Sequence, residues 1–248
     1  MYLLTESTRH RLMHVSTATL TTALFKRGFN NTFLQGPCLA SLHVANMVGQ
    51  AFTLRYIPAR EDLDQIESFN DPRHPQRVAI EECLPGHVLV MDSRGDPSAA
   101  SSGNLLLTRL MKRGAAGVVT DGGFRDSPEI AKLPFPAYHQ RPSAPTNLIK
   151  HHAIDQQLPI ACGGVSVYPG DVMVGDAEGV VCIAAHIADA VALEAYEQTI
   201  YEDWVAKQMD AGVGLFGTYP LTSESKRAEY ESWRSTNLER YPFTAKTA

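Results

Sequence analysis

The chain alternates between segments with helical and with extended spacing of apolar residues, which is typical of an α/β protein. Helical spacing predicts a helix over residues 16–28, ending at Gly28. We expect Ser16 or Thr17 to cap this helix, and Leu20, Leu24 and Phe25 to form its apolar face. Alternation predicts a strand over 49–58. Residues 58–76 are polar and hold three prolines, so we expect a helix in their first half and a loop in their second.

The rest of the chain continues this alternation and predicts a mixed sheet. The expected elements are a helix over 101–117 that begins at Ser102 or Gly103, strands over 116–122 and 133–139, a strand leading into a long helix over 179–209, and one short helix in the tail. "LPGHVLVMD" (84–92) also resembles "YPGDVMVGD" (168–176). Each Pro-Gly predicts a turn that starts a strand, and the likeness indicates recurring turn chemistry, not a duplication.

The segment "GNLLLTRLMKRGAAGVVTDGGFRD" (103–126) carries the candidate chemistry. The free backbone N–H groups of a helix that starts at Gly103 attract an anion such as a carboxylate. Arg125 can grip a carboxylate through two parallel hydrogen bonds, and Asp126 is a hard oxygen ligand suited to Mg²⁺ or Mn²⁺. Neighbours on a turning backbone point in divergent directions, so we expect Arg125 and Asp126 to hold two parts of one ligand and not to pair.

This segment resembles the active-site segment of the aldolase family typified by 4-hydroxy-4-methyl-2-oxoglutarate aldolase, which also contains the regulator of ribonuclease activity A (RraA-like proteins). The shared pattern is a Gly-x-x-Leu helix start at 103–106, a Gly-x-x-Gly turn at 114–117, Asp-Gly at 121–122 and Arg-Asp at 125–126. "YPGDVMVGDAEGVVCI" (168–183) resembles the family's second signature, and the resemblance covers roughly residues 40 to 185.

The resemblance implies a site and a reaction. The backbone of Gly103, Asn104, Leu105 and Leu106 and the guanidinium of Arg125 would bind a pyruvate-like unit, and Asp126 would bind the divalent cation. Arg125 and Asp126 would be the catalytic residues of a metal-dependent lyase. The family reaction cleaves a 4-hydroxy-2-oxo acid to pyruvate and a carbonyl product, and oxaloacetate decarboxylation accompanies it. Asn104 departs from the acidic residue often found at its position, which leaves the proton donor open.

The resemblance also implies a compact α/β sandwich that assembles into homotrimers or homohexamers, with helical N-terminal and C-terminal extensions on this chain. We assign residues 1–210 to the RraA-like domain and 211–248 to a C-terminal extension that packs on a neighbouring subunit or covers the site. Two alternatives stay open. One is a non-enzymatic, protein-binding regulator, and the other is a lyase acting on sugar-derived 2-oxo-3-deoxy acids.

Composition narrows the classes of partner. The chain is 44% hydrophobic and 20% charged, with a formal net charge of -5, which indicates a globular protein and argues against a nucleic-acid surface. It has no apolar run of membrane length, its first twenty residues lack a signal-peptide pattern, and its four cysteines form no CxxC pair. We therefore expect a cytoplasmic protein that acts on a small molecule.

Several candidate residues also have plain structural interpretations. Asp126 could cap a short helix that begins with "SPEI" (127–130), and Asp121 could form an Asx turn. His151 and His152 stand in a polar stretch, so we expect a solvated face. Trp204 and Trp233 are expected to pack the C-terminal helices together.

Overall fold

A computed structural model describes residues 2–42 and 44–244. The helices are α1 (Glu6–Met13), α2 (Thr17–Lys26), α3 (Pro75–Glu82), α4 (Asn104–Lys112), α5 (Ser127–Ile130), α6 (Ala188–Asp210) and α7 (Glu224–Asn237). The strands are β1 (Cys38–Leu39), β2 (Met47–Pro58), β3 (His87–Asp92), β4 (Ala100–Ser102), β5 (Gly117–Thr120), β6 (Gly123–Phe124), β7 (Ala137–His139), β8 (Arg141–Pro142), β9 (His151–Gln156), β10 (Ile160–Cys162), β11 (Val165–Val167), β12 (Val172–Gly175) and β13 (Val180–Ile183).

The main sheet is mixed, as predicted. Its strand order is β1-β7-β5-β3-β2-β12-β13, and β9 pairs with the far end of β2. The strands β2, β3, β5 and β7 run parallel, whereas β1, β9, β12 and β13 pair antiparallel to their neighbours. β2 is buried along most of its length, and its polar residues Gln50 and Thr53 are buried together with its apolar ones.

Two separate groups of helices pack on the main sheet. α1, α2 and α6 pack on β12 and β13, where Leu20, Leu24 and Ile200 meet Val174 and Val181. α3 and α4 pack on the parallel strands through a second apolar cluster that includes Ile80, Leu107, Leu110, Leu89 and Val118. This layering of helices on a mixed sheet agrees with the predicted α/β sandwich.

A small parallel sheet, β4-β6-β8, stands beside the main one. Its first two strands align Ala100 with Gly123 and Ser102 with Phe124. The residues that immediately follow these two strands, Gly103 and Arg125, therefore leave the sheet side by side. The arrangement places the candidate site at this edge.

Some predicted boundaries are wrong. Within the predicted helix 16–28, α2 is capped by the Ser16 hydroxyl, which accepts from the Thr19 N–H at 3.1 Å, but Phe25 is 69% exposed. Leu20 and Leu24 lie four residues apart on one face, and Phe25 is turned about 100° away from Leu24. Likewise, Ser102 belongs to β4 and not to the helix predicted over 101–117, because its strand pairs with a distant one.

The prediction for residues 58–76 is also wrong in detail. A turn and a short 3₁₀ helix at Ile66–Asn70 replace the helix expected in the first half, and α3 already begins at Pro75. This 3₁₀ helix buries none of its residues, so the segment offers no apolar stripe that could stabilise an α-helix. The two Pro-Gly turns are confirmed, because β3 and β12 each follow a glycine with positive φ, at Gly86 and Gly170, and both strands flank β2.

The C-terminal extension lies on α6 of its own chain. Trp204 and Tyr230 have ring centroids 5.5 Å apart, Lys207 Nζ stands 4.7 Å from the Trp233 ring, and Arg234 pairs with Glu197 at 2.5 Å. The expected packing role of both tryptophans is confirmed. Residues 245–248 of the extension lie outside the described residues, and packing on a neighbouring subunit stays a prediction. No described helix is both long and apolar enough to cross a membrane.

Candidate active site

A cavity of about 180 Å³ opens where β4 and β6 end. It is lined by five of the six predicted site residues, Gly103, Leu105, Leu106, Arg125 and Asp126. The sixth, Asn104, does not line the cavity, and its backbone N–H donates a hydrogen bond to Oδ2 of Asp126. The lining is completed by residues that the sequence motifs do not include, namely Phe69, Gln76, Arg77, Ala100, Ser102, Thr146 and Asn147.

Backbone pairing fixes the two halves of the motif against each other. The Arg125 N–H donates to the Ser102 carbonyl at 3.0 Å, and the Phe124 N–H donates to Nδ1 of His139 at 3.1 Å. The His139 ring also stacks on the Phe124 ring, with centroids 5.2 Å apart. Burial lowers the pKa of His139 to about 4, so Nδ1 remains an unprotonated acceptor at neutral pH.

Glycine is required at position 103 by close packing. Its φ of -140° is ordinary extended backbone, open to any residue. A Cβ there would lie 2.7 Å from Cγ of Arg125 and 2.9 Å from Oδ2 of Asp126. A side chain at position 103 would therefore push the Arg-Asp pair away from the start of α4.

The start of α4 offers fewer free donors than expected. The Asn104 N–H donates to Oδ2 of Asp126 at 3.3 Å, and the Leu106 N–H turns back to the Gly103 carbonyl at 3.1 Å. Within the described residues, the Leu105 N–H has no hydrogen-bond partner. The Leu105 N–H is thus available to an anion bound at this helix end.

The expectation that Arg125 and Asp126 diverge is wrong. Arg125 Nε lies 3.5 Å from Oδ2 of Asp126. Asp126 has a left-handed backbone, with φ 58° and ψ 33°, which turns its side chain back toward its neighbour. Both side chains are about half exposed and line the cavity, so the contact leaves each of them accessible to a ligand.

Asp126 occupies the N-cap position of α5, but its side chain makes no capping hydrogen bond. The capping interpretation therefore fails for the carboxylate, which faces the cavity instead. Among the residues that the structure describes, no group of three or more His, Cys, Asp or Glu side chains could hold a metal ion. A single, half-exposed carboxylate fits a hard cation such as Mg²⁺ or Mn²⁺, which keeps several waters and takes few protein ligands.

Asp121 does not form the expected Asx turn. Its buried carboxylate accepts hydrogen bonds from the N–H groups of Ser93 at 2.6 Å, Gly95 at 3.0 Å and Gly163 at 3.3 Å. Burial raises the pKa of Asp121, while these donors favour its charged form. Asp121 joins the end of β3 to the β10-β11 hairpin and lies outside the cavity.

The solvated face expected at His151 and His152 is also wrong. His151 is fully buried, 5.6 Å from the Tyr56 ring, and burial lowers its pKa. His152 Nδ1 lies 2.8 Å from a carboxylate oxygen of Asp64. Both belong to β9, whose pairing with β2 buries one side of an otherwise polar stretch.

The sequence motifs do not include the residues on the opposite wall of the cavity. Arg77 comes from α3 and Asn147 from a short 3₁₀ helix at Asn147–Ile149, both distant in sequence from the motif. Neither residue has neighbours of a type or spacing that would mark it as a ligand. The packing of α3 and of this 3₁₀ helix beside β4 brings the wall to the site.

The cavity brings together a helix start, a guanidinium and a hard carboxylate on an α/β sandwich, a set of groups whose chemistry suits a small anion. The sequence model of the RraA-like family, Aldolase/RraA, matches residues 17–182. The chain belongs to this family. The matched range includes both walls of the cavity.

Individual relatives agree with this assignment. A protein of Halalkalibacterium halodurans, provisionally named 4-hydroxy-4-methyl-2-oxoglutarate aldolase, is 39% identical over 42% of this chain and 50% of its own length. One of Aromatoleum aromaticum with the same provisional name is 34% identical over 42% of this chain and 65% of its own. The chain thus spans about half to two-thirds of the length of these two relatives.

Solved structures share the fold. RraAS2 of Streptomyces coelicolor, described as an unusual member of the RNase ES inhibitor RraA protein family, matches with a TM-score of 0.69 at 27% identity over 81% of this chain and 96% of its own. A protein of Pseudomonas syringae pv. tomato matches with a TM-score of 0.74 at 23% identity, over 87% and 98% of the two chains. The predicted RraA-like fold is confirmed.

Proposed function

We propose that this protein is a metal-dependent lyase that cleaves a 4-hydroxy-2-oxo acid into pyruvate and a carbonyl compound. The observation that carries the proposal is the contact between Gly103, Arg125 and Asp126 in one cavity. These three groups provide an anion-binding helix start, a guanidinium and a hard carboxylate within reach of one small molecule. The aldolase names of the relatives support the same reaction class.

The pyruvate half of the substrate would lie against Arg125 and the Leu105 N–H. Arg125 would bind the carboxylate through its planar pair of donors, and the helix start would stabilise the charge that grows on the 2-oxo oxygen. Asp126 would hold the Mg²⁺ or Mn²⁺ that the family resemblance implies. That cation, when bound, supplies positive charge beside the 2-oxo group.

The reaction breaks one carbon–carbon bond and moves two protons, and it needs no oxidant or reductant. The proton of the 4-hydroxyl group leaves, the C3–C4 bond breaks, and its electron pair passes into the enolate of pyruvate. A proton added at C3 then gives pyruvate. Oxaloacetate would pass through the same enolate, with CO₂ as the leaving group.

Asp126 is the best-placed proton carrier. Asn104 cannot act as an acid or base, and its side-chain oxygen accepts from the Thr108 hydroxyl at 3.3 Å. Among the described residues that line the cavity, Asp126 alone has a carboxyl or imidazole group. We assign the proton transfer to Asp126 or to a water that it binds.

Metal removal tests the proposal. We expect the purified protein to release pyruvate from the aldol of pyruvate and glyoxylate, to lose this activity in EDTA, and to regain it with Mg²⁺ or Mn²⁺. Pyruvate is measured with coupled lactate dehydrogenase. Asp126→Asn should stay inactive after metal is restored while keeping the wild-type circular dichroism spectrum. Full activity after verified removal of metal would contradict the metal requirement.

The alternative of a non-enzymatic regulator rests on the RNase ES inhibitor family to which RraAS2 is assigned. The retained contact of Gly103, Arg125 and Asp126 favours the enzyme, because a protein-binding surface does not require these three groups to converge inside a cavity. Failure to cleave any 4-hydroxy-2-oxo acid or oxaloacetate with metal present would favour the regulator.

A further inference from the structure

Two buried polar atoms in the wall of the cavity have no hydrogen-bond partner among the described residues. They are the hydroxyl oxygen of Ser102 and the amide nitrogen Nδ2 of Asn147. Ser102 is 4% exposed and Asn147 5% exposed, and both line the cavity. Leaving a buried polar group without a partner is destabilising, so we expect a molecule bound in the cavity to satisfy both.

The backbone of β4 directs the Ser102 side chain toward the cavity. Neighbouring residues of a strand point to opposite sides. The Ser101 hydroxyl lies 2.6 Å from the Ser93 hydroxyl and 2.8 Å from the Thr120 hydroxyl, at the ends of β3 and β5. Ser102 therefore faces the other way. Ala100, two residues before it, lines the cavity as well, whereas Ser101 does not.

Asn147 is held on the opposite wall by its own short helix. Its backbone carbonyl accepts from the Lys150 N–H at 2.9 Å, and its side-chain oxygen accepts from the Thr146 hydroxyl at 3.3 Å. The Ala100 N–H donates to the Pro145 carbonyl at 2.9 Å, which fixes this segment beside β4. The amide therefore offers Nδ2 to the cavity as a fixed donor.

The proposed reaction involves one oxygen that the motif residues do not bind. Arg125, the Leu105 N–H and the cation held by Asp126 would serve the carboxylate and the 2-oxo oxygen of the pyruvate half. The oxygen on C4 becomes partly negative as its proton leaves and the C3–C4 bond breaks. Fixed donors at this oxygen would stabilise a charge that develops only during the reaction.

We propose that Ser102 and Asn147 are further catalytic residues, whose hydroxyl and amide N–H groups donate hydrogen bonds to the oxygen on C4 of the substrate. The proposal rests on the function proposed above. A hydroxyl oxygen accepts two hydrogen bonds and donates one. With Ser102 and Asn147 at both acceptor positions, the hydroxyl proton is left for Asp126 or for the water that it binds.

The step balances without a further reactant. The 4-hydroxyl proton passes to Asp126 or its water, the O–H electron pair becomes the second bond of the new carbonyl group, and the C3–C4 electron pair passes into the enolate. Ser102 and Asn147 keep their own protons throughout. Because their hydrogen bonds strengthen in the transition state, losing them should lower kcat more than it raises KM.

Three reactions of the metal-loaded protein, each followed by NMR, test the assignment. Cleavage of the aldol of pyruvate and glyoxylate needs the oxygen on C4. Decarboxylation of oxaloacetate and hydrogen–deuterium exchange of the pyruvate methyl group in D₂O pass through the enolate but involve no 4-hydroxyl group. Ser102→Ala and Asn147→Leu should each lower kcat for cleavage by roughly 10²-fold and leave the other two rates near the wild-type values.

Ser41→Ala is the matched control. Ser41 is buried, its hydroxyl donates to the Phe135 carbonyl at 2.6 Å, and it does not line the cavity. This variant also lacks a buried hydroxyl, but its ratio of cleavage to exchange should stay at the wild-type value.

Normal exchange in Ser102→Ala and Asn147→Leu would show that both variants are folded and still form the enolate. Unchanged cleavage in both, or an equal loss of all three activities, would overturn the assignment of these two residues and leave the proposed function standing. If the wild-type protein showed none of the three activities, the proposed function and the assignment would both be overturned.

Discussion

Residue 103 links the backbone to the chemistry of the site. The space where a Cβ would stand is filled by the stem of Arg125 and the carboxylate of Asp126. The glycine therefore serves the close packing of these two side chains, and the left-handed Asp126 backbone completes the contact. Arg125 and Asp126 are held where one ligand can meet both.

Arg125→Lys tests whether the guanidinium acts on the ligand. Lysine keeps the charge but lacks the planar pair of donors. If Arg125 faces the enolate oxygen as well as the carboxylate, the lost donor acts on the transition state, and kcat should fall roughly 10²–10³-fold, about 2.7–4 kcal/mol. The measurement is kcat for oxaloacetate decarboxylation, with thermal unfolding of the same sample as the control for folding. A near-normal kcat, whatever the melting temperature, would mean that Arg125 does not bind the reacting group.

The predictable part of the site is the part that is contiguous in sequence. Gly103, Arg125 and Asp126 follow from local chemistry and from a motif, and the structure brings them together. Arg77 and Asn147 could not be found in this way, because only tertiary packing determines which side of α3 or of a short 3₁₀ helix meets the cavity. The Arg125–Asp126 contact was also missed, since a left-handed aspartate is not evident from its neighbours.

Short elements position the site more than long ones do. β4 and β6 contain three and two residues, too few for a pattern of alternation to be recognised, yet their parallel pairing sets Gly103 beside Arg125. The long elements β2 and α6 were predicted well because alternation and helical spacing extend over many residues in them. The sequence therefore predicts the long helices and strands better than the short strands beside the candidate site.

His139 ties β6 to β7 and makes this edge sensitive to acid. Its pKa is lowered to about 4 in the folded protein, against 6.5 in the unfolded chain, because the ring is buried. Between these pH values the unfolded state binds more protons than the folded state. The contribution of His139 to the free energy of unfolding is therefore complete above pH 6.5 and is lost as pH falls toward 4. The full effect is about 3 kcal/mol at most.

His139→Gln retains a hydrogen-bond acceptor for the Phe124 N–H but cannot titrate. We expect its free energy of unfolding, measured with urea at pH 7.5 and pH 5, to decrease less on acidification than that of the wild-type protein. His14→Gln, at the exposed position that follows α1, should keep the wild-type slope. The same pH dependence in all three proteins would show that His139 does not contribute to the acid sensitivity.

At the scale of the whole molecule, the predicted homo-oligomer has a candidate contact surface. Leu105 is 81% exposed at the helix start of the site, and Leu215, Phe216 and Tyr219 form an exposed apolar stretch on the C-terminal extension. Exposed apolar stretches of this kind mark interaction surfaces. The family resemblance implies a trimer or hexamer. Tyr219 stacks on Tyr201 of α6, whereas Phe216 stays exposed beside it.

The predicted assembly is tested by light scattering with sizing chromatography. We expect a mass three or six times that of the 27.2-kDa chain. Phe216 is 99% exposed, so replacing it by glutamate removes apolar area from a contact without disturbing the chain's own core. Phe216→Glu should lower the mass at low micromolar concentration, whereas Phe25→Glu, on the exposed side of α2, should not. A single 27.2-kDa species in the wild-type protein would contradict the oligomer, and an unchanged mass in Phe216→Glu would place the extension outside the subunit contact.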